Sequence, residues 1–206
     1  MEVLEIKPLK NKKIKLYLIR DESKKLNNFD YKKIRNILEK ESFRFAVVDL
    51  NEKKMKKSYF KPLLEFLEKR KIPYYSIDIP PHVKDYLYVE ILEKEAQINE
   101  LEKEYENLIL DPKERDSFKV QNLKSWIDLL KIEVESKKTL IKLTVKPRWI
   151  LKQIIDIANQ INNDRFSIMH FTHEELFFEL KKLFEEYNIK VIKFDINKIN
   201  IRTILV

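Results

Sequence analysis

The sequence predicts an α/β fold: a mainly parallel sheet with flanking helices and an inserted antiparallel helical hairpin. Three observations predict it. Short apolar runs alternate with helical periodicities before residue 80 and again after residue 147, the order of strand–helix–strand crossovers in a parallel sheet. Between these stretches the period changes to a sustained 4–3 spacing. The chain is 206 residues long and 44% hydrophobic, enough to bury the core of one domain carrying a sizeable insertion. The division expected is a first α/β half over 1–83, a hairpin insertion over 84–146, and a second half over 147–206 that completes the first domain.

Lys13 to Arg20 alternates Ile14, Leu16 and Leu18 with Lys15 and Tyr17, a strand opening into the polar run Arg20-Asp21-Glu22-Ser23. Asp30 can cap a helix whose face is Ile34, Ile37 and Leu38. Phe45 to Leu50 is almost wholly apolar, as a strand buried on both faces requires. A helix follows with Pro62 in its first turn and Leu63, Leu64, Phe66 and Leu67 inward. Tyr74 to Ile79 is a third strand, stopped by Pro80 and Pro81.

Leu87, Ile91, Ile98, Leu101, Tyr105 and Leu108 then form the seam of a long amphipathic helix that Asp111-Pro112 breaks. Leu123, Trp126, Ile127, Leu130 and Val134 are spaced on a second helix to face the first. Leu140 to Val145 suits either a strand or a continued helix. Pro147 starts a helix through Ile161, Phe166 to Met169 is a strand, Thr172 caps a helix over Glu174 to Tyr187, and Val191 to Asp195 is a strand. Asn188 takes the left-handed position that usually falls to glycine. Ile199 to Val206 is expected to form an edge strand.

The composition excludes whole classes of chemistry. There is no glycine, where about 14 are usual at this length. A Walker A loop, a dinucleotide Gly-x-Gly-x-x-Gly turn and a Gly-x-Ser-x-Gly elbow are therefore all absent. There is no cysteine, so disulfides, thiolate nucleophiles and cysteine metal sites are excluded. No apolar run reaches the roughly 18 residues of a membrane span, and charge interrupts the first fifteen residues, so neither a signal peptide nor an anchor is expected. A cytoplasmic location is the default expectation. The net charge of +8 is concentrated in residues 1–83, where 21 Lys and Arg face 12 Asp and Glu.

Chemistry-bearing residues gather at expected strand ends. His170 and His173 are placed where a strand gives way to a helix, the carboxyl rim at which open parallel sheets bind ligands. Asp49 ends the second strand and Asp78 nearly ends the third. His170, His173 and Asp49, with Asp78 nearby, are thus a candidate set for a divalent metal. Arg148, at a helix start, can hold an anion or satisfy a sheet-end aspartate. His82, after the two prolines, is read as closing a loop. Lys7, Lys10, Lys12, Lys13 and Lys15, then Lys53, Lys54, Lys56 and Lys57, interleaved with Tyr59, Phe60, Tyr74 and Tyr75, have the composition of a nucleic-acid-binding surface.

Leu16-Tyr17-Leu18-Ile19, Val47-Val48-Asp49-Leu50 followed by Lys53 or Lys54, Pro73 to Ile79, Arg148 and His170-Phe171-Thr172-His173 occur in an order that resembles the TraB/pheromone-shutdown family, with its ChaN-like and Tiki-type relatives. His173 matches that family's late histidine and Arg148 the arginine opening its late helix. Arg20-Asp21-Glu22-Ser23 replaces the family's first Gly-Thr-x-His, Asp49 replaces its glutamate, and His170 replaces a glycine. The resemblance therefore implies a descendant that keeps the fold and has lost the metal-dependent hydrolase or peptidase activity of some relatives.

The leading expectation is a non-catalytic binding or assembly protein without a cofactor. It would form a homodimer through the hairpin, with Leu87, Ile91, Leu92, Trp126 and Leu129 at the interface. A metal-dependent hydrolase using the rim His and Asp residues, with a divalent ion and its bound water, is the alternative. A nucleic-acid-binding module is the third.

Overall fold

In the computed structural model, residues 6, 8–10, 12–21, 39–49 and 61–195 are described. Strands β1 (Lys13–Asp21), β2 (Phe43–Val48), β3 (Tyr74–Ser76), β4 (Arg165–His173) and β5 (Lys190–Asp195) form one sheet in the order β3-β2-β4-β1-β5, every neighbouring pair parallel. Helices α1 (Lys61–Lys69), α2 (Pro81–Leu110), α3 (Phe118–Leu140), α4 (Lys146–Gln160) and α5 (Glu174–Glu186) complete the α/β fold. No helix among the described residues is long and apolar enough to cross a membrane. The expected helix after Asp30, the edge strand Ile199 to Val206 and the Lys53 to Phe60 tract lie outside the described residues.

The chain divides into two compact units, Met1–Asp78 with Lys146–Val206, and Ile79–Val145. The helical unit thus begins before residue 84, because Pro81 is already the first residue of α2, where its missing N–H costs nothing. Leu140 to Val145 holds no strand: a π turn, Ile141–Val145, follows α3 directly. His82 is accordingly exposed in the first turn of α2 and closes no loop.

In the α/β unit, strand alternation sorts the core into two faces. Tyr17, Ile19, Ala46, Val48, Met169 and Phe171 turn to one face and meet Leu64 and Leu67 of α1. Leu16, Leu18, Val47, Ile168 and His170 turn to the other, where the Phe184 ring of α5 stands against His170. Strand β2 changes face at its start. Phe43 pairs with Ser167 and Phe45 with the next residue, Ile168, so Arg44 is the extra residue of a β-bulge. Phe43 packs on Tyr17 on one side (5.0 Å between ring centroids), and Phe45 on Tyr75 on the other (5.5 Å).

The helical unit is an antiparallel pair. Val120, Leu123, Ile127, Leu130 and Val134 of α3 are buried at 3–4 spacing, as are Ile91 and Ile98 of α2. Ion pairs fix the direction: Glu90–Lys137, Lys94–Glu133, Glu95–Lys138 (2.9 Å), Glu102–Lys131 (2.6 Å) and Glu104–Lys119 (3.1 Å). All lie in solvent, so they select register more than they add stability.

Without glycine, two helix ends carry the left-handed residue on other side chains. Lys71 (φ 55°) and Asn188 (φ 59°) follow α1 and α5. Each donates its N–H to the carbonyl three residues back, and the isoleucine after it donates to the carbonyl five back: Ile72 to Leu67 and Ile189 to Phe184, both at 2.9 Å. These are two copies of one helix stop, the Schellman motif. Asn188 behaves as its sequence position predicts; Lys71 has no such signal in the sequence, because lysine does not favour the left-handed region. Asn188→Ala is expected to destabilise the protein by about 1 kcal/mol and Asn188→Gly to leave it unchanged or better, read from urea midpoints.

A second expectation concerns acid. Lys15 pairs with Glu41, whose other oxygen accepts from the Ser167 hydroxyl at 3.3 Å. The Lys15 ammonium, then the Tyr17 hydroxyl, hold the Glu41 carboxyl below its ordinary value. Its contribution is therefore present above the unfolded value of about 4.3 and is lost as pH falls through the lower folded one. The urea midpoint of Glu41→Gln should change less than that of the parent between about pH 5 and pH 3.

Candidate functional site

Asp49 follows β2 and extends the ladder, its N–H donating to the Phe171 carbonyl at 3.3 Å. The register sets Val47 beside His170, so Asp49 and His170 lie on neighbouring strands and share a face. There the His170 Nε2 meets Asp49 Oδ1 within hydrogen-bond distance. With the carboxylate ionised, that nitrogen carries the proton and donates. The two side chains are 0% and 1% exposed, and the Phe184 ring stands edge-on to the imidazole, 5.8 Å between centroids. Thr172, two residues along β4, shares the face and is equally buried. Asp49 Oδ2, His170 Nδ1 and Thr172 Oγ1 are enclosed without a hydrogen-bond partner among the described residues.

An imidazole aligned by a carboxylate is the arrangement of a general base, but a base must reach the proton it takes. This pair is enclosed. What it does in the structure is fix the ring and tie β2 to β4 through side chains as well as backbone. Breaking such a pair strands a buried polar group, which is costlier than never having had it.

The other candidates are placed differently. His170 lies within β4 and not at its end, because the strand runs to His173. His173 is three residues on, an odd offset that turns it to the opposite sheet face, and it is half-buried at the N-cap of α5 without a capping side-chain bond. Thr172, expected to cap that helix, is inside the strand. Asp78 follows β3 and pairs with Lys146 at 3.3 Å. Arg148 is exposed in the first turn of α4. Among the described residues no three His, Asp or Glu side chains form a set that could hold a metal ion. The expected set of His170, His173 and Asp49 is thus corrected to a buried pair. Thr172 is the member that the sequence argument missed; its spacing of two from His170 was the available signal.

The hairpin places its interface candidates on two faces. Ile91 is 1% exposed and Leu87 half-buried on the inner seam, so these two are withdrawn from an outward surface. Leu92 (59%) and Leu129 (61%) are exposed, and so is Trp126 (54%), which its spacing assigns to the face toward α2 but which lies outside the buried stripe of Leu123, Ile127 and Leu130. Tyr86 and Val89 join Leu92 at spacing of three on α2, and Ile132 continues Trp126 and Leu129 on α3. Both helices are therefore apolar on a second face. Comparison of the chain with protein-family models, characterised proteins and solved structures returns no match.

Removing one partner of the buried pair, as in Asp49→Ala, should destabilise the protein by about 3–5 kcal/mol. The double change Asp49→Ala, His170→Leu should cost clearly less than the sum of the single ones, both read by urea unfolding. Additive effects below about 1 kcal/mol each would show that the contact does not hold β2 to β4.

Proposed function

We propose that this protein is a non-catalytic binding and assembly protein that pairs with a second copy of itself through the helical hairpin. One observation carries the reading: Tyr86, Val89 and Leu92 on α2, with Trp126, Leu129 and Ile132 on α3, are between 49% and 81% exposed on faces turned away from the inner seam. Large apolar side chains clustered in this way mark interaction surfaces. Burying a side chain of this kind contributes about 1.5–3 kcal/mol. Six positions from each of two copies are enough to exceed the roughly 4–15 kcal/mol of freedom lost on association.

The opposite charges of α2 and α3 are used within the chain, where Lys119, Lys131, Lys137 and Lys138 of α3 pair with glutamates of α2. A second copy is favoured as the occupant because a two-fold pairing covers the same apolar face on both protomers at once. The enclosure of Asp49 and His170 also supports a binding role over turnover. A degenerate member of the TraB family, with fold kept and first histidine motif lost, remains part of this proposal.

Multi-angle light scattering tests it. The parent chain should have about twice the 25.1 kDa of one chain at micromolar concentration, and Leu92→Glu, Leu129→Glu should return to 25.1 kDa with helicity unchanged. A parent mass near 25.1 kDa across that range would sink the proposal.

A further inference from the structure

The amino-terminal edge of the sheet, opposite the rim, holds a concavity of about 570 Å³ formed by the segments that enter β2, β3 and β4. That volume falls within the roughly 300–1,000 Å³ of small-molecule sites. Arg44, Lys71 and Arg165 line it, together with Asn163 and the aromatic residues Tyr75 and Phe166, and among the described residues none that lines it is acidic. All three cations are exposed, and among the described residues none has an ion-pair partner.

Two features argue that the concavity is more than a solvated basic face. The β-bulge in β2 exists at Arg44: the strand gives up one ladder position there and sets that arginine outside the regular pairing. Bulges of this kind re-aim side chains. Arg165 opens β4 and reaches the same concavity from the strand next to β2. The second feature is Tyr75, 40% exposed, whose ring is braced edge-on by Phe45 (5.5 Å, 85°) with Phe166 behind it at 6.4 Å from Phe45. A braced aromatic ring beside arginines that have no ion-pair partner among the described residues is the combination on which bases stack and phosphates pair. The groove on the hairpin is a useful contrast: there Lys131 and Lys138 are already paired to Glu102 and Glu95.

We propose that this concavity binds a nucleoside phosphate, either free or as a unit of single-stranded nucleic acid, with Arg44, Arg165 and Lys71 on the phosphate and the base against Tyr75. The site is independent of the hairpin reading and of the enclosed Asp49–His170 pair.

Fluorescence anisotropy with a labelled twelve-nucleotide single strand, and calorimetry with ATP and with inorganic pyrophosphate, test the proposal on the intact chain. Strand binding should weaken with salt at a log–log slope of about −2, the value for three phosphate contacts on a single strand. Arg44→Ala, Arg165→Ala should reduce affinity at least about tenfold, and Tyr75→Leu at least about fivefold, with thermal unfolding unchanged. ATP binding that responds to these substitutions identifies a free nucleotide as the source, and response of the strand alone identifies nucleic acid. The proposal is overturned if neither probe binds below about 1 mM at low salt, or if pyrophosphate binds as well as ATP and Tyr75→Leu has no effect. It is also overturned if affinity is lost on changing Lys53, Lys54, Lys56 and Lys57 to serine but survives the arginine substitutions. Should the double variant unfold, Arg44→Lys and Arg165→Lys separately keep the charge and remove the planar fork, and unchanged affinity in both overturns the assignment.

Discussion

Strand β4 sits between β1 and β2 with helices over both faces, and that position sets the terms for the rest of the α/β unit. Its residues from Ser167 to Thr172 are all buried. A strand so enclosed reads as continuous apolar sequence in most parallel sheets. This one carries Ser167, His170 and Thr172, and each polar side chain must be met from a neighbouring element or remain unmet. Ser167 reaches Glu41, just ahead of β2, and His170 reaches Asp49, just after it. The two ends of β2 are thereby tied to β4 through side chains on opposite faces of the sheet. The bulge at Arg44 makes this compatible, because it turns Phe43 and Phe45 to opposite sides between those two ties.

This arrangement explains what was legible in the sequence and what was not. Runs such as Ile14 to Ile19 and Phe45 to Val48 are strongly patterned, and the parallel sheet followed from the helices between them. The change of period after Pro81 made the hairpin legible for the same reason. The rim differs from the sequence pattern on one point of phase: the apolar run ends β4 at Met169, but pairing with β1 continues to Asp21 and His173. That moved His170 from an open edge into the core and turned His173 to the other face. A strand's last paired residue depends on its neighbours' lengths, which a single run of sequence does not contain. Asp49 and His170 stand out in the sequence as polar residues beside apolar strands, but their enclosure depends on Phe184 of α5, and no local pattern reports that packing.

The concavity at the opposite edge was illegible for a different reason. Arg44 of β2, Lys71 ahead of β3, Tyr75 of β3 and Arg165 of β4 are far apart in the chain, and each looks ordinary within its own segment. The bulge that frees Arg44 appears only in the register between β2 and β4. The lysine tracts drew attention because they are contiguous, whereas a site assembled across strands β3, β2 and β4 is contiguous only in space.

The lack of glycine connects these observations. Loops that wrap phosphate in backbone N–H groups use residues with no Cβ, both to reach left-handed conformations and to let the ligand approach the chain. Here the left-handed positions among the described residues fall to Lys71 and Asn188, and both are used to stop helices. A glycine-free chain lacks those loops, which leaves long side chains on a rigid frame as one way to recognise phosphate. Arginine suits that demand, since its planar fork bonds two phosphate oxygens without backbone help. The edge of a parallel sheet supplies the frame, and a bulge supplies the aim. The composition that removes the glycine-rich nucleotide loops is thus compatible with the same ligand class bound through two arginines and a braced tyrosine ring.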